Sequence, residues 1–492
     1  MLNAKEVVSL GVPSERNIIS TALRLFNTAV ARGADEEKLK GVLRTLLLSK
    51  TPGAEDLGEW TEWFAPLADS LAGIRKGRVF YVPGLKAPWK RWGTDPVEPT
   101  AIKQMENACS LPVSAGGALM PDAHSGYGLP IGGVLAVRNA VIPYAVGVDI
   151  ACRMRLTVVG IPYGEFERNT DRFAEALEAE TRFGVGARFE KGERRSHPVM
   201  DEDWAVTEVT RDLKDKAAMQ LGTSGSGNHF VEFGKLTVPE AVDEPGFRLP
   251  AGTYLALLSH SGSRGAGEGV AKFYSALAAS LHPELPESLR HLAWLELGTD
   301  EGEGYWSAMQ LMGRYAAANH ELIHRHVLRH LGLEAIGMVK NHHNFAWKEN
   351  HGGEELVVHR KGATPAGKGV LGVIPGSMGT PGFVVRGKGS PESYASCSHG
   401  AGRLMSRGAA FRTLDRNRMK ELLDERGVRL LSGSLDESPE VYKDIGRVMA
   451  SQSDLVDTLA RFEPKLVKMA PEEDGRHAWI LRKKKALSEG CS

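Results

Sequence analysis

The sequence predicts an α+β fold, a single large mixed α/β domain with an N-terminal helical appendage. Two observations carry this expectation. Apolar residues recur at helical spacing through the first 75 residues, and near residue 79 the texture changes to short β-like runs between glycine-rich turns. Those runs cluster without the regular strand-helix-strand spacing of a doubly wound sheet, which leaves the α+β class.

In the appendage, Ile18, Ile19, Leu23 and Phe26 recur at helical spacing, as do Leu39, Val42, Leu43, Leu46 and Leu47. Pro52-Gly53 breaks this stretch. Further on, strands are expected at Val134 to Val137, Leu156 to Val159, Tyr254 to Leu258, Leu356 to His359 and Val370 to Ile374. Longer helices are expected near 203–220, 266–281, 302–330 and 413–425. No internal repeat or low-complexity linker interrupts the pattern.

Composition bounds the function. With 42% hydrophobic and 25% charged residues, the chain can build a large core, and long disorder is not expected. The 61 basic and 61 acidic side chains cancel, so any nucleic-acid footprint must be a local patch. There is no secretory signal pattern, and no apolar run approaches the roughly 20 residues that span a bilayer. The expectation is a cytoplasmic protein with no membrane partner. Cys109, Cys152, Cys397 and Cys491 are scattered, with no CxxC pair, so no disulfide framework is expected and a single thiol stays available to a metal.

Histidine is the unusual feature. Of the 16, several lie in glycine- or asparagine-rich loops: His124, His229, His260, His342, His343 and His399. Glycine beside histidine lets the backbone approach a ligand closely. One such histidine is ordinarily a surface loop residue, but so many in the same setting point to a site.

Two patterns are decoys. His320-Glu321-Leu322-Ile323-His324 matches the HExxH of zinc proteases, yet His326 and His330 follow, and a His-rich amphipathic helix explains the run. Gly362 to Gly369 nearly matches a Walker A loop, but Gly369 replaces the hydroxyl residue that holds magnesium and a strand pattern follows instead of a helix.

The remaining constellation carries chemistry. Asp149 and Cys152 stand three residues apart at the edge of a strand, and with His229, His260 and His343 they supply one oxygen, one sulfur and three nitrogen donors. That is too many for one four-coordinate site with an open position, and it suits two adjacent metals with one bridging ligand. Two metals suit phosphoryl or nucleotidyl transfer. His399 is placed as a nucleophile, followed by Gly400, Ala401, Gly402 and Arg403 at an expected helix start, where free N–H groups can hold phosphate.

Several runs then occur in one order: Met120 to His124 through Gly132-Gly133, Gly147 to Cys152, Gly227 to Phe230, His260 to Gly265, His343-Asn344, Arg360 to Thr364, Pro375 to Thr380 and Ser398 to Arg403. In this the sequence resembles RtcB-type RNA-splicing ligases over roughly residues 80–485. The resemblance implies a catalytic domain over 80–485; the helical appendage 1–75 lies outside it, and 486–492 is left as a C-terminal tail.

It also implies a GTP- and Mn²⁺-dependent RNA ligase, in which His399 takes GMP from GTP. A 2′,3′-cyclic phosphate end is opened to a 3′-phosphate, which accepts the GMP as RNA-(3′)pp(5′)G, and a 5′-hydroxyl end then displaces GMP. Asp149, Cys152, His229, His260 and His343 match the ligands of two Mn²⁺ ions, with Cys152 bridging. Asn228, His229, Phe230, Val231, Glu232, His343, Asn344, Pro375, Gly376, Ser377, Met378, His399, Gly400, Ala401, Gly402 and Arg403 match the nucleotide pocket. Archease is the implied accessory protein. A metal-dependent RNA-end phosphohydrolase and a non-catalytic RNA- or GTP-binding protein stand as alternatives.

There are departures. The family usually has glycine where this chain has Ala151 and Arg153, and a serine where it has Gly382, and the C-terminal nucleotide-contacting lysine has no assignable counterpart. Arg153 reads either as a phosphate contact or as a structural residue turned away from Cys152 and paired with a carboxylate. Candidate RNA patches are Arg188, Lys191, Arg194 and Arg195; Arg386 and Lys388; and Arg403, Arg407 and Arg412.

Overall fold

The structure, a computed structural model, describes residues 1–13, 15–49, 56–75 and 79–472. Pro52-Gly53, Cys491, the basic run Leu481 to Lys485 and the 486–492 tail lie outside the described residues.

The N-terminal helices Ala4–Ser9, Arg16–Ala31, Glu36–Leu48 and Thr61–Arg75 bury one another's apolar faces. Ile18, Leu25 and Phe26 from one, Leu39, Leu43, Leu46 and Leu47 from the next, and Phe64, Leu67 and Leu71 from the last form one cluster. Ile19 and Leu23, expected with them, are less buried than Ile18 and Ala22.

The mixed α+β character appears in the rest of the chain as two main sheets, mostly antiparallel. The larger runs in the order Ala335–His342, Arg153–Pro162, Gly252–Ser261, Phe230–Val238, Val456–Met469, Gly382–Gly387 and Leu371–Ile374, with Arg429–Ser432 pairing in parallel to Val456–Met469. The smaller runs Trp89–Arg91, Ser114–His124, Ile131–Val137, Glu354–Lys361 and Asn344–His351. All five expected strands and the four long helical stretches are present within a few residues of their expected ends.

Both faces of the larger sheet are covered, so its strands are apolar on both sides. In Gly252–Ser261, Leu255 and Leu257 pack with Ile323 and Val327 of the helix Asp300–Leu331, whereas Ala256 and Leu258 face a second cluster with Met154, Leu156 and Val339. Each such leucine contributes about 1.5–3 kcal/mol of burial. The same alternation sends Ser259 and Ser261 toward the helix and His260 to the opposite face.

The helix Asp300–Leu331 is bounded as its sequence dictates. The Thr299 side chain accepts from the Gly302 N–H at the start, acidic residues fill the first turn, and Gly332 in the left-handed region closes the end. No helix among the described residues is long and apolar enough to cross a membrane.

The two sheets meet at one residue. The strand Ala335–His342 belongs to the larger sheet and Asn344–His351 to the smaller, and only His343 lies between them. Its N–H donates to the Cys152 carbonyl at 3.0 Å, and its own carbonyl accepts from Ala363 N–H at 3.2 Å.

Candidate active site

A cavity of about 730 Å³ opens where the sheets meet. Asp149, Cys152, His229, His260, His343 and His399 all line it, so loops dispersed over 251 positions of sequence converge.

Cys152 precedes the strand Arg153–Pro162, whose neighbour Gly252–Ser261 carries His260 toward it. Cys152 Sγ lies 3.1 Å from His260 Nε2 and 3.4 Å from His229 Nε2. His260 Nε2 lies 3.2 Å from His343 Nε2, and Asp149 Oδ2 lies 3.1 Å from His229 Nε2. The Asn228 carbonyl, 3.0 Å away, accepts from His260 Nδ1–H, which leaves the Nε2 lone pair facing the cluster. Asp149 fits only because residue 262 is glycine: a Cβ there would stand 2.2 Å from both carboxylate oxygens. The Asp149 Oδ1 accepts from the Ser263 N–H at 3.0 Å.

This donor set fits a metal. Cys152, His229 and His260 converge closely enough to share one ion, and among the described residues the buried His343 Nδ1 has no hydrogen-bond partner. Burial pulls His260 down to about 3 and His343 well below the usual histidine range, so both rings are neutral, the form that ligates. Burial opposes the charge on Asp149, but the hydrogen bond and charge of His229 outweigh it and the carboxylate stays ionised. Burial and Asp149 together hold the metal-free Cys152 thiol protonated, so metal binding there must release a proton.

His399 stands beside this cluster, its ring centroid 5.0 Å from that of His343. The short strand Ser396–Ser398 pairs with Ala363–Pro365 and delivers it. His399 Nδ1 lies 2.7 Å from Oδ2 of fully buried Asp122, which also accepts from the His399 and Gly400 N–H groups at 3.1 and 3.3 Å. Burial raises the Asp122 carboxyl, yet its attraction to His399 prevails and the net shift is downward. Asp122 therefore holds a proton on Nδ1, which leaves Nε2 as the ring nitrogen not engaged by it. Lys443 Nζ donates to the carbonyls of Pro121 and Ala123 at 3.0 and 2.8 Å, pinning the backbone on both sides of Asp122. The sequence reading assigned no role to Asp122 or Lys443. The MPDAH run was the available signal for the first, and nothing local marks the second.

The expected helix start after His399 is absent. Residues 399–406 run irregularly, with Arg403 bridged antiparallel to Tyr442, and the next helix is Arg407–Thr413. The cause is Gly402, with φ of +73°, where a Cβ would stand 2.0 Å from the Asp122 carbonyl oxygen. The chain is held in a close approach to Asp122 that helical geometry forbids.

Of the expected nucleotide pocket, Asn228, His229, Phe230, His343, Asn344, Pro375, Gly376, Ser377, Met378, His399, Gly400, Ala401, Gly402 and Arg403 line the cavity. Val231 does not. Strand alternation turns it into the cluster with Phe173 and Phe233 on the far face. Glu232 is not among the lining residues either: it is buried, and burial alone pushes its carboxyl up. Met469, opposite Phe230 on the neighbouring strand, is part of the wall.

Ala151 adopts φ of +57°, a conformation that explains why glycine suits this position, and its N–H donates to the Asn344 carbonyl at 2.7 Å. Arg153 turns away from the cavity, as alternation requires. It does not find the expected carboxylate. Its guanidinium donates instead to the Gly313 carbonyl at 3.3 Å and to His342 Nδ1 at 3.2 Å.

Among the charge patches, Arg195 pairs with Glu180 at 2.6 Å, Arg386 with Glu244 and Asp457, and Lys388 with Asp457. Arg403 and Arg407 line the cavity and are held by Asp436 and Glu437.

The decoys resolve as helix and strand. His320 and His324 are fully engaged within the helix Asp300–Leu331, and the near-Walker run is partly the strand Ala363–Pro365.

Fold and site define an α+β protein built around a buried thiol-imidazole cluster able to hold metal, beside a carboxylate-oriented histidine. Residues 104–209 and 200–469 match the family described as tRNA-splicing ligase RtcB. The chain is similar to the RNA-splicing ligase RtcB of Escherichia coli, at 35% identity over 76% of this chain and 95% of that protein. It is also similar to the tRNA-splicing ligases RtcB of Archaeoglobus fulgidus, at 32% over 74% and 90%, and of Thermococcus kodakarensis, at 30% over 74% and 89%. The chain belongs to the RtcB family of RNA-splicing ligases.

Proposed function

We propose that this protein is a GTP-dependent RNA ligase that joins 2′,3′-cyclic phosphate or 3′-phosphate RNA ends to 5′-hydroxyl ends, with His399 carrying GMP. The observation that carries this reading is the Asp122–His399 pair, 2.7 Å apart, whose histidine lines a cavity shared with the Cys152, His229 and His260 cluster. A neutral imidazole nitrogen attacks phosphorus without needing a strong base.

The steps balance as group transfers. His399 Nε2 bonds to the α-phosphorus of GTP as the bond to pyrophosphate breaks. The buried Asp122 carboxylate balances the imidazolium charge that appears. An oxygen of the RNA 3′-phosphate then takes the GMP, the P–N bond breaks, and RNA-(3′)pp(5′)G forms. The 5′-hydroxyl attacks the RNA phosphorus, GMP leaves, and the hydroxyl proton is released.

Asp149, Cys152, His229, His260 and His343 would hold two Mn²⁺ ions, with Cys152 between them. Such ions supply charge neutralisation at the phosphates. By donor softness alone this set favours Zn²⁺, so manganese rests on the family resemblance. Phe230, Met378 and Met469 offer apolar walls to a base, and Arg403 and Arg407 offer charge to phosphates. The reading takes residues 80–485 as the catalytic domain with residues 1–75 appended, a cytoplasmic setting, and archease as an accessory for turnover.

Incubation with labelled GTP and Mn²⁺ tests it. The expected outcome is a covalent GMP adduct and joined RNA from the full chain, and neither from His399→Ala. Adduct at the wild-type level in that variant would remove His399 from the role. Hydrolysis of ends without adduct would favour a phosphohydrolase, and RNA or GTP binding alone a non-catalytic protein.

A further inference from the structure

Guanylylation leaves a second histidine of the same cavity unused. His124 ends the strand Ser114–His124 and lines the cavity with His399. Its Nδ1 lies 3.1 Å from the Asp122 carbonyl oxygen. A carbonyl only accepts, so Nδ1 carries the proton and Nε2 keeps its lone pair. Asp122 thus orients two rings, His399 through its side chain and His124 through its main chain.

The surroundings of His124 differ from those of His399. It leads into the rim formed by Ser125, Gly126 and Tyr127, with Glu98 beside it. That rim is held firmly. Gln104 clamps Gly126 with both amide atoms, Ser125 N–H donates to Glu98 at 3.0 Å, and Lys361 donates to the Tyr127 carbonyl. The Tyr127 ring is nonetheless 69% exposed at the cavity mouth. A rigid loop that presents an exposed tyrosine, its ring backed edge-on by His291 at 5.9 Å, suits an unpaired base of a single strand. Tyr127 and His124 line the same cavity three residues apart, so a terminal nucleotide seated on Tyr127 would enter the cavity that His124 lines. Burial draws His124 down to about 4, so the ring is neutral, and a phosphate anion arriving beside it raises its basicity.

We propose that His124 is the general base that opens 2′,3′-cyclic phosphate RNA ends, a role that rests on the ligase reading above. His124 Nε2 takes a proton from water as the water oxygen bonds to phosphorus. The P–O2′ bond breaks, and the proton passes from the imidazolium to O2′. One water is consumed, and the products are a 3′-phosphate and a free 2′-hydroxyl.

The test uses His124→Asn in the full chain, because the Asn amide can still donate to the Asp122 carbonyl while the Nε2 lone pair is gone. Three reactions are followed: GMP transfer to the protein from labelled GTP, joining of a pre-formed 3′-phosphate RNA to a 5′-hydroxyl RNA, and conversion of a 2′,3′-cyclic end. Opening of the cyclic end falls by roughly 100-fold or more, while the other two reactions fall by less than about tenfold. Opening at the wild-type rate overturns the proposal. Equal losses in all three also overturn it, because they mark a residue that only supports Asp122. If His124→Asn does not fold, His124→Gln is read in the same way. Wild-type protein that forms no GMP adduct sinks the ligase reading instead, which separates the two failures.

Discussion

The strand Gly252–Ser261 has histidines packed against both faces, and the two groups are opposites. On the helix side, His320 and His324 satisfy every ring nitrogen. Thr157 hydroxyl donates to His324 Nδ1 at 2.8 Å, His324 Nε2–H to Ser259 Oγ at 2.8 Å, Ser259 hydroxyl to His320 Nδ1 at 2.6 Å, and His320 Nε2–H to the Ser261 carbonyl at 3.1 Å. On the other side, His260 Nε2 and His343 Nε2 lie 3.2 Å apart, and His343 Nδ1 has no hydrogen-bond partner among the described residues. Both groups are buried and neutral. What separates them is hydrogen-bond satisfaction: the saturated pair holds the helix to the sheet, and the unsaturated set has room for an ion.

The contrast can be broken from either side. The largest effect is expected from Cys152→Ser, which replaces a thiolate with a poor ligand and should strip bound metal from the unsaturated cluster. Two ions per chain in that variant, by elemental analysis, would end the idea of a shared sulfur. Next is Ser259→Ala, which orphans one ring nitrogen on each of His320 and His324. It should cost about 1–3 kcal/mol of stability in denaturant unfolding and leave metal content unchanged. Loss of metal without loss of stability would mean that the two faces are coupled. The smallest effect belongs to Glu321→Gln. Its carboxylate is about half exposed and pairs, among the described residues, with His197 and Arg325 at 3.6 and 3.8 Å. Stability should move by less than about 0.5 kcal/mol and joining of RNA ends by no more than a few-fold. Collapse of joining in a folded, metal-loaded Glu321→Gln would mean that this helix reaches the active site.

Much of this was legible because it is local. Helical spacing exposed the N-terminal faces, and the β-like run Tyr254 to Leu258 marked a strand, whose Leu255 and Leu257 the fold turns opposite Ala256 and Leu258. The chemistry of Asp149, Cys152 and the loop histidines was legible from residue type. What escaped was long-range. The partner of His399 is Asp122, 277 positions away, and no spacing rule spans that distance. Glycines after His399 suggested a helix start, whereas Gly402 serves the approach to Asp122. Val231 was grouped with its neighbours in a contiguous motif, although a strand divides such a motif between two faces. Arg153 was weighed against a carboxylate, and a backbone carbonyl and a histidine ring took its place.

The single-residue junction at His343 has a mechanical consequence. One residue spans no more than about 3.6 Å, so the sheets on either side have almost no slack with which to swing apart. Many enzymes exclude water by hinging two lobes over a substrate. Such a motion would have to pivot at His343 itself, so it would displace a member of the cluster. Parting the two sheets there would also move His343 away from His260, 3.2 Å off in the larger sheet.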